Sequence, residues 1–320
     1  MQKIAVLTSG GDAPGMNAAI RAVVRTALYH QLEVYGIERG FAGLCSGSAL
    51  RRFTINSVAG IIHRGGTILH TARAPGFEQR EVQVAAARRL REAGIGGLVV
   101  IGGGGSFCGA AALQELGIQT VGLPATIDHD IPGTDGAVGF DTTVNTILDA
   151  INRLRDTATA HERIFVVEVM GRESGFIALA AGMAGGAEAI IVPEVKPDLE
   201  GICRRLQEGI ARRKTHSLIL VAEGAAGAYA VGEEVHRKTG LETRVTVLGH
   251  IQRGGSPTAA DRLLASRMGA AAVELLRSDT GGQMLSLKGG EITAAPLQTG
   301  TAGRRAFPQD LYALSLILAR

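Results

Sequence analysis

Two glycine loops and one acidic loop hold the residue types and spacings that could do chemistry in this chain. Ser9-Gly10-Gly11-Asp12-Ala13-Pro14-Gly15-Met16-Asn17 follows the apolar run Lys3–Thr8, and Ile101-Gly102-Gly103-Gly104-Gly105-Ser106 closes the run that starts at Gly97. In each case a predicted strand passes through glycines into a predicted helix. No Cβ keeps the backbone away from an anion there, and the first N–H groups of the helix point at it with the positive end of the helix dipole. Neither loop has the Gly-x-Gly-x-x-Gly spacing or the lysine of the Walker pattern. The second loop holds no carboxylate, which bears on metal binding. Pro124-Ala125-Thr126-Ile127-Asp128-His129-Asp130 follows the run Thr120–Leu123. A carboxylate beside a hydroxyl undergoing phosphoryl transfer can accept its proton. An extended loop would point Asp128 and Asp130 to one side and His129 to the other, whereas a turn would separate the two carboxylates. His129 reads as a neighbour rather than a metal ligand.

Arginines stand singly at loop ends: Arg73, Arg163, Arg172, Arg244 and Arg253. Their placement beside glycines or strand ends suits anion binding, because a guanidinium grips phosphate with two parallel donors. Leu248-Gly249-His250-Ile251-Gln252-Arg253-Gly254-Gly255-Ser256-Pro257 sets His250 and Arg253 at a strand-to-helix junction, a pairing that suits a sugar phosphate. Glu223 ends another apolar run and could accept sugar hydroxyls. Met170, in Glu168-Val169-Met170-Gly171-Arg172, offers either an apolar sugar contact or core packing.

These residues need a scaffold, and the 320 residues are enough for two compact domains. Lys3–Thr8, Leu32–Ile37, Leu98–Ile101, Thr120–Leu123, Ile164–Val169, Ala189–Val192, Ser217–Ala222 and Thr243–Leu248 read as buried parallel strands. Helical patterns lie between them, among them Asp141–His161, Asp198–Arg213 and Asp261–Arg277. Repeated strand–helix units predict an α/β fold of doubly wound, mainly parallel sheets, with ligands at the carboxyl ends of the strands. A domain change is placed near Gly139. The tail from Ser278 onward has weaker patterning and is left undivided.

Composition narrows the class. The net charge is only +3, there is no Trp, and Tyr and Phe together number 12, so nothing favours a nucleic-acid surface. Cys45, Cys108 and Cys203 lack metal-ligand spacing and read as buried or inert thiols. No apolar run approaches ~18 residues and no signal peptide is recognised, so a cytoplasmic enzyme without a membrane span is expected.

The set Ser9–Asn17, Thr126-Ile127-Asp128, Met170-Gly171-Arg172 and Leu248–Gly255 resembles the bacterial 6-phosphofructokinase family, over nearly the whole chain from Thr8 to about Gly269. The resemblance implies transfer of the ATP γ-phosphoryl group to O1 of fructose 6-phosphate, in glycolysis, with Mg²⁺. It implies a larger ATP-binding domain of residues 1–139 plus about 251–301, and a smaller fructose 6-phosphate domain of 140–250 plus about 302–320. Asp128 would be the general base, Thr126 would bind the transferring phosphate, and Arg172, Arg73 and the Gly11 N–H would stabilise its charge. ATP would lie along Gly11, Arg73, Ala74, Gly103, Gly104, Gly105 and Ser106, with Asp130 supporting the magnesium site. Fructose 6-phosphate would be held by Thr126, Asp128, Met170, Gly171, Arg172, Glu223, His250 and Arg253, with Arg163 and Arg244 reaching over from a neighbouring subunit of a homotetramer. Arg21, Arg25, Arg155, Glu188, Arg212, Arg213 and Lys214 match an effector site for ADP or phosphoenolpyruvate.

Departures from the family are local. Gly104 replaces the aspartate that serves magnesium, which predicts weakened metal use, and His129 replaces an asparagine. Ala74 and Glu78 replace residues that are often larger and basic, and Glu78 would repel phosphates if it faced them. Ile55 and Gly60 replace an Arg and an Asp of the effector site. Gly105 and Ala125 stand where pyrophosphate-using relatives carry Asp and Lys, which favours ATP as donor. The alternatives are a low-activity sugar-phosphate-binding or regulatory paralogue and a pyrophosphate-dependent kinase.

Overall fold

The computed structural model describes residues 1–47, 50–161 and 163–319. The chain separates into two compact units, one of Met1–Ile127, Ile131–Thr142 and Arg253–Arg305, the other of Asp128–Asp130, Thr143–Gln252 and Ala306–Arg320. In chain order the elements are β1 (Lys3–Thr8), α1 (Met16–Tyr29), β2 (Glu33–Ile37), α2 (Gly40–Ser46), β3 (Arg51–Arg52), α3 (Arg80–Glu92), β4 (Gly97–Gly102), α4 (Gly104–Glu115) and β5 (Gln119–Pro124). Then come α5 (Phe140–His161), β6 (Ile164–Val169), α6 (Phe176–Ala184), β7 (Ala189–Ile191), α7 (Leu199–Ala211), β8 (Ser217–Ala222), α8 (Ala228–Thr239) and β9 (Thr243–Val247). The last are α9 (Ala259–Arg277), β10 (Gln283–Lys288), β11 (Glu291–Pro296) and α10 (Gln309–Leu318). Among the described residues no helix is long and apolar enough to cross a membrane.

The first unit is built on a sheet of order β11-β10-β5-β4-β1-β2-β3. Its central strands are parallel and almost wholly buried, which is why they read as continuous apolar runs rather than alternating ones. The chain leaves β1 toward β2 on one side and returns through β4 to β5 on the other. The point where the winding reverses therefore falls between β1 and β4, where such sheets open a crevice at their carboxyl ends. One face of the sheet packs on a cluster that includes Leu7, Phe41, Leu90, Val100, Phe107 and Leu297. The second unit has the order β7-β8-β6-β9, all parallel, with Val166, Ile219, Val221, Ile202 and Val235 in its core.

The structure adds what the tail reading left undivided. β10 and β11 form an antiparallel hairpin closed by Gly289 and Gly290, with Lys288 opposite Glu291. Both glycines have positive φ, 54° and 89°, as a two-residue hairpin turn requires. The hairpin extends the parallel sheet by pairing β10 with β5. β11 was illegible because its residues are exposed or half-exposed, so its sequence carries no apolar run. The thiols also depart from expectation: Cys203 is buried, but Cys45 and Cys108 are exposed.

Helix α1 packs along α9 at a small-residue crossing. A Cβ on Gly269 would stand 2.6 Å from the Ala22 Cβ and 2.9 Å from the Ala19 carbonyl oxygen. Neither neighbour can swing away, because one is a backbone atom and the other a bare Cβ. Gly269→Val is expected to destabilise the protein by about 1–3 kcal/mol, the usual cost of overpacking. A lowered urea midpoint with unchanged slope would report it.

Candidate active site

The two glycine loops meet in the first unit because β1 and β4 are paired in register, Thr8 opposite Ile101. The Ser9 N–H donates to the Ile101 carbonyl at 3.0 Å, carrying the pairing one residue beyond β1. A Cβ on Gly102 would lie 2.5 Å from both the Ser9 carbonyl oxygen and the Ser106 Oγ, so only glycine lets the loops approach this closely. Gly10, at φ 86°, turns the chain out of β1. α4 starts at Gly104 behind Gly103, with no side-chain cap and no acid in its first turn. α1 starts behind Gly15 in the same way. The α4 N-terminus thus carries uncapped donors beside the reversal point, an arrangement that suits the phosphates of a nucleotide.

Arg73 is exposed on a loop tied to the first glycine loop. Thr71 Oγ1 donates to the Gly10 carbonyl at 2.7 Å, and Thr8 Oγ1 donates to the His70 carbonyl at 2.8 Å. The buried Asn17 holds the start of this loop. Its Nδ2 donates to the Arg64 and Gly65 carbonyls at 3.0 and 3.1 Å, and its Oδ1 accepts the Ile68 N–H at 2.8 Å. Arg253 lies against the glycine loop: its Nη1 donates to the Asp12 carbonyl at 3.1 Å, and a Cβ on Gly11 would stand 2.5 Å from that nitrogen. The carboxylate of Glu78 accepts the Gly76 N–H at 3.1 Å, so its charge is engaged within its own turn. Ala74 packs at the rim of the core cluster that includes Phe41 and Phe77, whose rings are 4.4 Å apart.

The substrate candidates of the second unit gather at the carboxyl edge of its sheet. Met170 and Arg172 follow β6, Glu223 follows β8 and His250 follows β9. Met170 is buried, while Arg172, Glu223 and His250 are exposed. Gly171 has φ 140° and Arg172 has φ 53°, and this tight loop is locked from two sides. The Arg172 N–H donates to Glu223 Oε1 at 2.9 Å, and the Met170 N–H donates to Gln252 Oε1 at 3.1 Å. Gln252, wholly buried, also donates to the Gly249 carbonyl at 2.9 Å and so couples the Met170 loop to the turn that carries His250. Arg172 Nε is 3.9 Å from Asp128 Oδ2. The Ser174 hydroxyl donates to the Asp128 carbonyl at 3.0 Å, and His129, at φ 56°, sets its ring edge-on to Phe176. The loop through His129 is therefore a turn rather than an extended strand, and the reading that put Asp128 and Asp130 on one side does not hold.

Arg163 and Arg244 lie at the opposite edge, ahead of β6 and one residue into β9. They share Glu242, at 2.9 Å from Arg163 Nε and in a closer ion pair with Arg244. The six residues of β6 span about 20 Å at ~3.3 Å each, so neither arginine reaches the Met170 edge of its own sheet. Of the effector candidates in the second unit, Glu188, Arg212 and Lys214 line a cavity of about 310 Å³ together with Arg205 and Ser217. Glu188 pairs with Lys214 and accepts the Leu218 N–H. Arg155 donates to the Gly185 and Gly186 carbonyls, and Arg213 sits at φ 66°. Arg21 and Arg25 are one turn apart on α1, where burial, then the neighbouring charge of Arg25, lowers the Arg21 pKa.

The phosphofructokinase profile matches residues 3–276. The chain belongs to the phosphofructokinase family. It is 55% identical to the ATP-dependent 6-phosphofructokinase of Clostridium acetobutylicum over 322 residues, covering 100% of both chains. It is 54% identical to that of Bacillus mycoides over 315 residues, covering 98% of each. Among solved structures, phosphofructokinase from Saccharomyces cerevisiae matches with TM-score 0.87 at 35% identity, over 100% of this chain and 48% of that one. The chain thus spans about half of the yeast protein. A pyrophosphate-dependent phosphofructokinase from Marinobacter aquaeolei shares the fold, with TM-score 0.88 at 24% identity over 97% of this chain and 86% of that one.

Within this phosphofructokinase fold, Asn17, Gln252 and Asp261 each tie down backbone of their own unit by hydrogen bonds that spacing did not reveal. Asn17 and Gln252 lay inside quoted motifs with no role attached, and their burial was the missing signal. Asn17→Ala would strand two carbonyls and an N–H that it now satisfies. A stability loss of about 1–3 kcal/mol is expected, together with faster amide exchange at Ile68 as the Arg73 loop loosens. Unchanged exchange there would remove Asn17 from this role.

Proposed function

We propose that the chain transfers the γ-phosphoryl group of MgATP to O1 of fructose 6-phosphate, giving fructose 1,6-bisphosphate and ADP. The observation that carries this reading is the meeting of two uncapped glycine loops at the reversal point between β1 and β4. Phosphoryl transfer runs on positioning and electrostatics rather than covalent catalysis, which matches a site of backbone donors and arginines. The nucleotide phosphates would lie on Gly11 and Gly103–Ser106, with Arg73 toward the transferring group. Gly105 and Ala125 leave room for the α-phosphate, which favours ATP over pyrophosphate.

In the second unit, Asp128 would take the proton from O1 while Arg172, anchored through its N–H to Glu223, would meet the incoming charge. Met170, Glu223 and His250 would orient the sugar. Arg253, held at Asp12, would add a cation for phosphate. Arg163 and Arg244 would serve the sugar phosphate of a second copy, as in a homotetramer, because they occupy the wrong edge for their own. The cavity at Glu188, Arg212 and Lys214 would take an anionic effector such as ADP or phosphoenolpyruvate. The setting would be cytoplasmic.

Among the described residues, no group of three or more His, Cys, Asp or Glu side chains could hold a metal ion. That donor set fits Mg²⁺ arriving on the nucleotide, since Mg²⁺ keeps several waters and needs only one or two carboxylates besides phosphate oxygens. Asp130 would support it. Gly104 is the position to probe. A Cβ there would meet the Gly300 carbonyl oxygen at 3.0 Å, so a side chain fits once that turn yields by a few tenths of an ångström. Gly104→Asp is expected to lower the Mg²⁺ concentration for half-maximal rate at a modest cost in stability. An unchanged Mg²⁺ titration would show that the missing carboxylate does not limit metal use.

The deciding experiment is a steady-state assay of fructose 1,6-bisphosphate formation with MgATP, run in parallel with pyrophosphate. Turnover with ATP is expected, and Asp128→Ser should lower kcat at least ~10²-fold. Fructose 6-phosphate binding without turnover on either donor would instead indicate a regulatory paralogue, the reading that Gly104 favours.

A further inference from the structure

Asp261 is only 1% exposed, in the first turn of α9, and it is used entirely by residues more than a hundred positions away. Its Oδ1 accepts the Gly139 N–H at 2.8 Å. Its Oδ2 accepts the Thr142 N–H at 2.8 Å and the Thr142 hydroxyl at 2.6 Å. The carboxylate thereby caps α5, satisfying an N–H of its first turn and opposing its dipole. The link is reciprocal, because the Thr258 N–H donates to Thr142 Oγ1 at 3.0 Å and the Thr258 hydroxyl donates to Asp141 Oδ2 at 2.6 Å. Burial lifts the Asp261 carboxyl above its ordinary pKa, against the pull of these donors. Such a group is costly to bury unless its geometry is used.

What Asp261 fixes lies next to the reacting groups of the first unit. Gly139 follows Val138, whose carbonyl accepts the Thr126 N–H at 3.0 Å and whose N–H donates to the Pro124 carbonyl at 3.0 Å. Gly139, at φ 108°, lies so close to the first glycine loop that a Cβ on it would stand 2.6 Å from the Ala13 Cβ. Gly15 abuts Val138 in turn, its notional Cβ 2.6 Å from the valine Cγ1. One carboxylate therefore sets the segment that Thr126 pairs with and against which the first glycine loop is seated.

We propose that Asp261 is a positioning residue for phosphoryl transfer, holding Gly139 and Thr142 so that Thr126 and the Gly11 loop keep their mutual geometry. The inference rests on the role given to Thr126 above. In Asp261→Asn one acceptor becomes an NH₂ facing a donor, so the clamp is broken with little change in shape. Misplacement by a fraction of an ångström is felt in the transition state more than in substrate binding.

The test compares wild type, Asp261→Asn, Thr142→Val and Thr142→Ser as full chains. It measures kcat per fructose 6-phosphate binding site, both KM values and amide exchange at Thr126 and Val138. Asp261→Asn is expected to lower kcat at least ~10-fold with each KM within about 2-fold, and to speed exchange at Thr126 and Val138. Thr142→Val should lower kcat about 3-fold or more, and Thr142→Ser, which keeps the hydroxyl, should restore it. A purely structural role would reduce the number of binding sites but leave kcat per site and exchange at Thr126 unchanged, and that result would overturn the proposal. If Asp261→Asn does not fold, Thr142→Val decides, and wild-type kcat and exchange in that variant would overturn it equally. Wild type that fails to turn over either donor would instead sink the functional reading, with the exchange data still deciding whether Asp261 holds the Thr126 segment.

Discussion

Parallel pairing of β1 with β4 sets Thr8 opposite Ile101, and the close approach of the two glycine loops follows from that register. Both strands end at the same edge, so both glycine loops emerge side by side, and α4 begins directly behind the second. The close approach is possible only because Gly102 has no side chain to collide with Ser9 and Ser106. A slip of one residue would move a loop along the edge and turn every side chain of the strand to the other face of the sheet.

The second unit uses the same rule with the opposite emphasis. Its parallel strands deliver Met170, Arg172, Glu223 and His250 to one edge, and the buried amide of Gln252 then locks two of their loops together. The other edge keeps Arg163 and Arg244, joined through Glu242. Side chains at opposite ends of the same strands cannot converge, so those two arginines do not reach the Met170 edge of their own sheet.

The candidate loops of each unit are held by buried side chains hydrogen-bonded to backbone more than by ion pairs. Asn17 fixes the Arg73 loop, Gln252 fixes the Met170 loop and Asp261 fixes the segment beside Thr126, each from the protein interior. Interior bonds of this kind are little weakened by salt, and Arg172, though it stands 3.9 Å from the buried Asp128 carboxylate, keeps its own guanidinium exposed. The tetraglycine loop follows the same logic. It contributes donors and space where a carboxylate would contribute charge, and its helix packs on the turn at Leu297–Thr301 closely enough that the Gly300 carbonyl faces Gly104.

The central parallel strands were legible because burial on both faces writes itself as apolar runs, and the bounds read for β1, β6 and β8 match the structure. The two glycine loops, Thr126-Ile127-Asp128 and Met170-Gly171-Arg172 stood out as candidates because each is a contiguous stretch of distinctive residue types. The hairpin of β10 and β11 was not, since β11 faces solvent and has no apolar run, although Gly289-Gly290 between the two strands was a usable turn signal. The turn through His129 was open in the sequence and decided by the fold, which sets its ring on Phe176. Sequence alone determined the family and which residue types stand in its motifs, because those are set by neighbour spacing along the chain. Tertiary structure alone decided which edge each arginine occupies and that Asp261, 122 residues from Gly139, holds its N–H, because such contacts depend on strand direction and helix packing rather than on distance along the chain.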